Sequence, residues 1–161
     1  MVFKKINCEI TIRFKPNLTR DRIYGKEKVN KENLANVRLY RMDATQMNFK
    51  DESFDKVLLS LVLHETDEEL AKKIIKEAMR VMKPDGELVV TEWERSDNFI
   101  KKILFIPIEI LEPKPYKTFV TKDHKKYFKE FGLEQVECKH CDYSKVMRLK
   151  KMEFVEDYEH A

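Results

Sequence analysis

Between Lys5 and Phe14 hydrophobic and polar residues alternate one by one. Ile6, Cys8, Ile10, Ile12 and Phe14 share one face; Lys5, Asn7, Glu9, Thr11 and Arg13 share the other. That period of two predicts a half-exposed strand of the edge or antiparallel kind. Residues 15–33, KPNLTRDRIYGKEKVNKEN, are polar and charged, with turn signals at Pro16-Asn17 and Gly25, and read as a loop or lid with room for a short helix. A second strand, Val37–Met42, ends in Asp43-Ala44. The run Phe54–Leu63, FDKVLLSLVL, is nearly continuously apolar, as a strand covered by helices on both faces should be.

Beyond it the period changes to that of a helix. Thr66 offers an N-cap with Glu69 three residues on, and Asp67, Glu68 and Glu69 put negative charge at the positive end of the helix. Leu70, Ile74, Ala78 and Met82 form its buried stripe, flanked by Ala71, Ile75 and Met79. Pro84-Asp85-Gly86 stops it and turns the chain into the strand around Leu88-Val89-Val90. Strand, helix and strand with short joints predict a βαβ unit with parallel strands. A later helix over Lys122–Phe131 closes on Gly132. The strands Leu133–Cys138 and Tyr143–Leu149 then make a hairpin, and residues 151–161 a charged tail.

Composition narrows the reading. At 161 residues the chain predicts a single domain with one core, an atypical segment at 1–34 leading into a main body at 35–150. Lys plus Arg is 32 against 29 for Asp plus Glu, a net charge of +3, which argues against a dedicated nucleic-acid binder. Charged residues make up 38% against an average of roughly 25%, a Lys- and Glu-rich surface of the thermophile kind. The three cysteines, Cys8, Cys138 and Cys141, do not form the even set of a secreted disulfide framework. The greasiest segment, Ile100–Leu111, contains Pro107 and Glu109 and falls short of the about 20 residues of a membrane span. A soluble cytoplasmic protein with no membrane association is the expectation. Cys138-Lys139-His140-Cys141 has the spacing of half a zinc site, but no second CxxC exists, so no metal is expected and the pair should lie at or near the hairpin turn.

Asp43-Ala44 after a strand, FKDESFDKV at 49–57, Leu61–His64, MKPDGELVV at 82–90 and Phe131-Gly132-Leu133 follow one another in an order that resembles the class I S-adenosylmethionine-dependent methyltransferases. The likeness is to the ubiquinone/menaquinone-biosynthesis type and covers residues 35–150. It implies an α/β, Rossmann-like methyltransferase sheet, truncated or rebuilt at its N-terminus, with a C-terminal antiparallel hairpin. It further implies S-adenosylmethionine as cofactor, with Asp43 accepting from the adenine amino group, the Ala44 amide near the ring, and Leu61–Glu65 facing the sulfonium and the methyl acceptor. Ligands sit at the carboxyl ends of strands in open α/β sheets on general grounds too.

Each candidate has a plainer reading beside it. Asp43 is either the adenine ligand or the cap of its loop. His64 is either a catalytic base near the acceptor or a loop histidine bonding backbone. Glu92 and Trp93 end the next strand at the same edge, Glu92 as the second catalytic candidate and Trp93 as a stacking or core residue. Ile100–Leu111 either covers an apolar acceptor or packs as an amphipathic helix.

The departure from the family is its glycine-rich loop. The chain has only Gly25, Gly86 and Gly132, no two of them close, and no second apolar strand ending in an acid for the ribose hydroxyls. Three repairs of the sheet present themselves. The strand at Val37 moves beside Phe54–Leu63, the N-terminal strand fills the gap, or a homodimer or heterodimer partner pairs across an exposed edge. A truncated gene product that folds without catalysing is the fourth outcome. The function expected is methyl transfer to a small-molecule acceptor, with weak cofactor binding. The alternative is a catalytically inactive methyltransferase-like binding or partner subunit.

Overall fold

The computed structural model describes residues 2–5, 8–12, 29, 31–33, 36–40, 42–94, 99, 103 and 114–152. The expected lid at 15–33 and the apolar segment Ile100–Leu111 fall almost wholly outside them, as does most of the tail at 151–161. Seven strands form one mixed sheet: β1 (Val2–Lys5), β2 (Cys8–Ile12), β3 (Val37–Tyr40), β4 (Phe54–Ser60), β5 (Met82–Trp93), β6 (Leu133–Cys141) and β7 (Ser144–Lys151). Their order across the sheet is β3-β2-β1-β4-β5-β7-β6. The helices are α1 (Glu68–Val81), α2 (Lys114–Val120) and α3 (His124–Lys129), with a short 3-10 turn at Leu63–Glu65 after β4.

The gap in the sheet is filled by the second repair. The N-terminal run is two short strands in antiparallel pairing, not one, and β1 lies antiparallel against β4 while β2 lies parallel to β3. The run is therefore antiparallel as its alternation suggested, but it is not an edge. β2, β3, β4, β5 and β6 point one way, and β1 and β7 the other. The facing strand ends Lys5 and Cys8 thus lie at the edge opposite the carboxyl ends of β4 and β5.

One sheet face carries the core. Val57 and Leu59 of β4, Leu88 and Val90 of β5 and Met147 and Leu149 of β7 are fully buried with Ile74, Ile75 and Ala78 of α1 and Phe128 of α3. The alternate residues Leu58, Val89, Thr91, Trp93 and Val146 are only partly buried. Two-sided burial of β4, expected from its apolar run, is therefore not reached among the described residues; Leu58 shows the difference.

The βαβ unit forms as expected, with two local corrections. Asp67, not Thr66, is the N-cap of α1: its side chain accepts from Leu70 N at 2.9 Å, while Thr66 Oγ1 donates to Leu63 O at 2.8 Å. Either residue type caps well, and Thr66 is already engaged in closing the preceding turn. Pro84-Asp85-Gly86 is not a separate turn. The helix runs straight into β5 at Met82, and the three residues sit where the β4–β5 register jumps between Phe54↔Met82 and Lys56↔Glu87. Glycine is required there, because a Cβ on Gly86 would come within 2.7 Å of Met82 Cγ and 3.0 Å of Asp55 O. Gly132 closes α3 with φ +73° as expected. Helix α2, beginning at Lys114-Pro115, had no sequence expectation, and β6 extends through Cys141, so both cysteines lie on the strand, with Cys141 next to the turn at Asp142-Tyr143.

Candidate functional site at the carboxyl edge of the sheet

The residues singled out from sequence divide into two groups at one sheet edge. Asp43 and Ala44 follow β3. Leu61, His64, Glu92 and Trp93 lie at the ends of β4 and β5. Since β2 and β1 stand between β3 and β4, the groups are three strand spacings apart, about 14 Å.

The β3 group sits in a tight turn. Asp43 Oδ1 accepts from Thr45 N at 2.8 Å and Thr45 Oγ1 at 2.7 Å, and Gln46 N donates to Asp43 O at 3.2 Å. The Thr45 backbone N–H, then its hydroxyl, hold the Asp43 carboxyl below the usual carboxylate range. Asp43 thus does cap its own loop, through one oxygen, while remaining exposed; Ala44 beside it is fully buried. The loop is pinned from α1. Arg80 donates to Phe49 O at 2.9 Å and Met47 O at 3.0 Å, and Glu77 Oε1 accepts from Met47 N at 2.6 Å. Arg80 and Glu77 pair with each other at 2.7 Å, which raises the guanidinium pKa and lowers that of the carboxyl.

The β4–β5 group is a buried clamp. Glu92 is 0% exposed; its Oε1 accepts from Val62 N at 3.2 Å and Leu63 N at 2.8 Å, and its Oε2 bonds His64 Nδ1. Just before these, Leu61 N donates to Thr91 O at 2.8 Å. Three consecutive backbone N–H groups therefore face β5, which an extended chain cannot arrange. The bend falls on Leu61, whose φ of +52° is the left-handed region a leucine rarely adopts. His64 is 3% exposed and meets the rings of Tyr116 and Trp93 edge-on, at centroid distances of 6.0 and 6.5 Å.

The two carboxyl-edge catalytic candidates, His64 and Glu92, thus touch each other. Tyr116 joins them without any sequence expectation; its only local signal is the Lys114-Pro115 start of a helix. Arg80 is a further positioning residue that sequence alone did not single out, and Thr66, expected as a helix cap, instead closes the turn at Leu63. Among the described residues no His, Cys, Asp and Glu group is arranged to hold a metal ion, and no helix is long and apolar enough to cross a membrane.

S-adenosylmethionine would need an acceptor at its adenine end and close backbone approach, with ribose and carboxylate partners, at its methionine end. Asp43 and buried Ala44 suit the first requirement. The second is unmet among the described residues. The end of β1 at Lys5 lies at the opposite edge, as do Gly86 near the start of β5 and Gly132 before β6.

Comparison with known proteins places this architecture. The family model described as "Methyltransferase domain" matches residues 17–90. The β1–β2 hairpin lies outside that match. The chain is 41% identical over 69 residues to the demethylmenaquinone methyltransferase of Renibacterium salmoninarum, covering 43% of this chain and 28% of that protein. The enzyme of the same name from Bacillus velezensis is 29% identical over 104 residues, 64% of this chain and 43% of the relative. The chain spans well under half the length of these curated relatives. Among solved structures, a SAM-dependent methyltransferase from Aquifex aeolicus aligns over 87% of this chain and 66% of its own, with a TM-score of 0.64 at 20% identity. A putative methyltransferase from Bacillus halodurans aligns over 89% and 83%, with a TM-score of 0.65 at 14% identity. A strand, loop, strand, helix and strand matched in sequence, inside a sheet matched in fold, give one conclusion: over residues 17–90 the chain is similar to the methyltransferase-domain family, its sheet has the fold of the SAM-dependent methyltransferases, and its sequence likeness is to the demethylmenaquinone methyltransferases.

Proposed function

We propose that the chain serves S-adenosylmethionine-dependent methyl transfer to a small, apolar acceptor held at the carboxyl edge beside Leu61 and His64. The observation that carries this reading is the strained Leu61 turn fixed by Glu92, because backbone strain held in place by a buried network is a feature of ligand sites. The name of the matched relatives suggests an acceptor of the quinone class. Cofactor chemistry would supply an already activated methyl group, so the protein's work is alignment and exclusion of water. His64, held through Nδ1 by Glu92, is the candidate base at this edge. Asp43 and Ala44 hold the adenine end.

A second reading is a catalytically inactive member that binds a small molecule or serves as a partner subunit. It is favoured by the direction of β1, whose end at Lys5 lies away from the site. The test is calorimetric titration with S-adenosylhomocysteine and S-adenosylmethionine, with Asp43→Ala as control. Micromolar binding weakened at least tenfold by the substitution supports the enzyme, and radiolabelled methyl transfer to a demethylmenaquinone analogue then completes it. No heat at millimolar ligand eliminates the stand-alone enzyme and leaves the second reading.

A further inference from the structure

At the far side of β5 a thiol, an imidazole and a carboxylate stand in line. Cys138 and His140 are two apart on β6 and therefore on one face of the sheet. Cys138 Sγ lies 3.8 Å from His140 Nε2, within the longer range of sulfur hydrogen bonds, and His140 Nδ1 lies 2.7 Å from Glu94 Oε2. Glu94 is brought across β7 by its backbone, whose N–H donates to Tyr143 O at 2.9 Å in the β6–β7 turn. Lys145 of β7, opposite His140 in register, stands 3.6 Å from Glu94 Oε1 and steadies the carboxylate from the side.

This order is that of a nucleophile, its base and the group that orients the base. Nδ1–H donates to Glu94, which leaves the Nε2 lone pair for the thiol proton. A disulfide within the CxxC is closed by the strand itself. Cys138 and Cys141 are three apart and point to opposite faces, their Cα atoms about 10 Å apart, beyond the ~7 Å limit for a disulfide. Both are free cysteines. Cys138 is half-buried against Met147 and the core; burial pushes its thiol up, the Lys145 charge opposes this, and the Glu94 charge adds to it. A thiol so placed stays protonated near neutrality and is inert unless a neighbour removes its proton during attack.

We propose that Cys138 is a nucleophilic modification site with His140 as its general base and Glu94 as positioning residue, suited to a soft carbon electrophile of the α,β-unsaturated carbonyl class. Sγ forms a bond to the β-carbon. The π pair of the C=C bond shifts onto the carbonyl as an enolate, and the thiol proton passes to His140 Nε2 and from there to the α-carbon. Nothing leaves, and neither an oxidant nor a reductant takes part.

The probe is N-ethylmaleimide at limiting concentration and pH 7, with peptide mass mapping to follow Cys8, Cys138 and Cys141 separately. Cys141 is the internal reference: an exposed thiol on the same strand without the relay. The expected result is faster labelling at Cys138 than at the more exposed Cys141 in the native protein. His140→Gln, at a residue whose side chain is 67% exposed and so dispensable for folding, should slow Cys138 by about tenfold or more and leave Cys141 unchanged. Glu94→Gln should slow Cys138 less, in the same direction. Slower labelling at Cys138 than at Cys141, or a rate unmoved by His140→Gln, overturns the proposal.

Discussion

Two glutamates two residues apart at the end of β5 each hold a histidine, and they differ chiefly in burial. Glu92 and His64 are 0% and 3% exposed, Glu94 and His140 24% and 67%. The same pair of side chains does different physical work in the two settings. Inside, the carboxylate cannot be solvated, so it is satisfied by protein groups, and the groups that satisfy it become fixed. Two backbone N–H groups and an imidazole are thereby locked to β5. Outside, water shares the task, the pair contributes little to folding, and the ring keeps the freedom to move a proton to a neighbouring thiol. One strand end has thus produced a brace and a relay from identical residue types.

The largest expected effect breaks the brace. Glu92→Ala leaves the Val62 and Leu63 N–H groups and His64 Nδ1 without their acceptor in a dry site, and should cost about 3–5 kcal/mol of unfolding free energy. Glu94→Gln should change it by no more than about 0.5 kcal/mol. Urea denaturation of the two variants measures both; equal losses would mean that burial does not separate the pairs.

A third histidine shows what burial does without a carboxylate. His124 is buried between Phe119 and Phe128, ring centroids at 4.8 and 6.5 Å, and neither ring nitrogen is in hydrogen-bonding geometry with a side-chain partner. Burial, then the charges of Lys145 and Lys122, push its pKa down to about 4; Asp123 and the Lys122 backbone oppose this only weakly. The unfolded chain holds the proton up to about pH 6.5. Between those values the unfolded state binds more protons, so stability rises with pH from about 4 and levels off above about 6.5. At pH 5 the native protein should be about 2 kcal/mol less stable than at pH 7 on this account. His124→Phe should remove most of that difference. A variant with the same pH 5 to pH 7 difference as the native protein would show that other groups cause it.

How much of this could be read beforehand follows from distance along the chain. The strand at Phe54, the helix stripe at Ile74 and Ala78 and the Gly132 stop are local patterns and formed, although β4 ends at Ser60 with one face only partly buried and Met82 belongs to β5. The α1 cap moved by one residue because Thr66 and Asp67 are both good caps, and only the Leu63 carbonyl, presented by a turn, decides between them. The N-terminal alternation predicted one half-exposed strand, and neither the division into β1 and β2 nor their place in the sheet, since a half-buried strand has the same period at an edge or in the middle. Glu92 and His64 were recognisable as residues at strand ends. Their contact, like that of Glu94 with His140 at a separation of 46 residues, depends on sheet register, which no local pattern contains.

The smallest effect tests whether the brace stores strain. Leu61 pays for the left-handed turn that lets three successive N–H groups reach β5, and glycine would adopt that φ without penalty. Leu61 is 37% exposed, so its side chain contributes only part of its burial energy. Leu61→Gly should therefore raise stability by about 0.5 kcal/mol, the relief of strain exceeding the extra entropy glycine loses. Leu61→Ala, which keeps a Cβ in the same conformation, should instead lower it slightly. The gain belongs to the brace only if Glu92 enforces the turn. In a Glu92→Ala background the chain at 61 can relax, and Leu61→Gly should then be neutral or destabilising. A double-mutant cycle in urea reads this as a coupling between two residues that share no side-chain bond. A gain of equal size in both backgrounds would mean that β4 and β5 impose the turn by themselves, and that Glu92 only occupies a bend made without it.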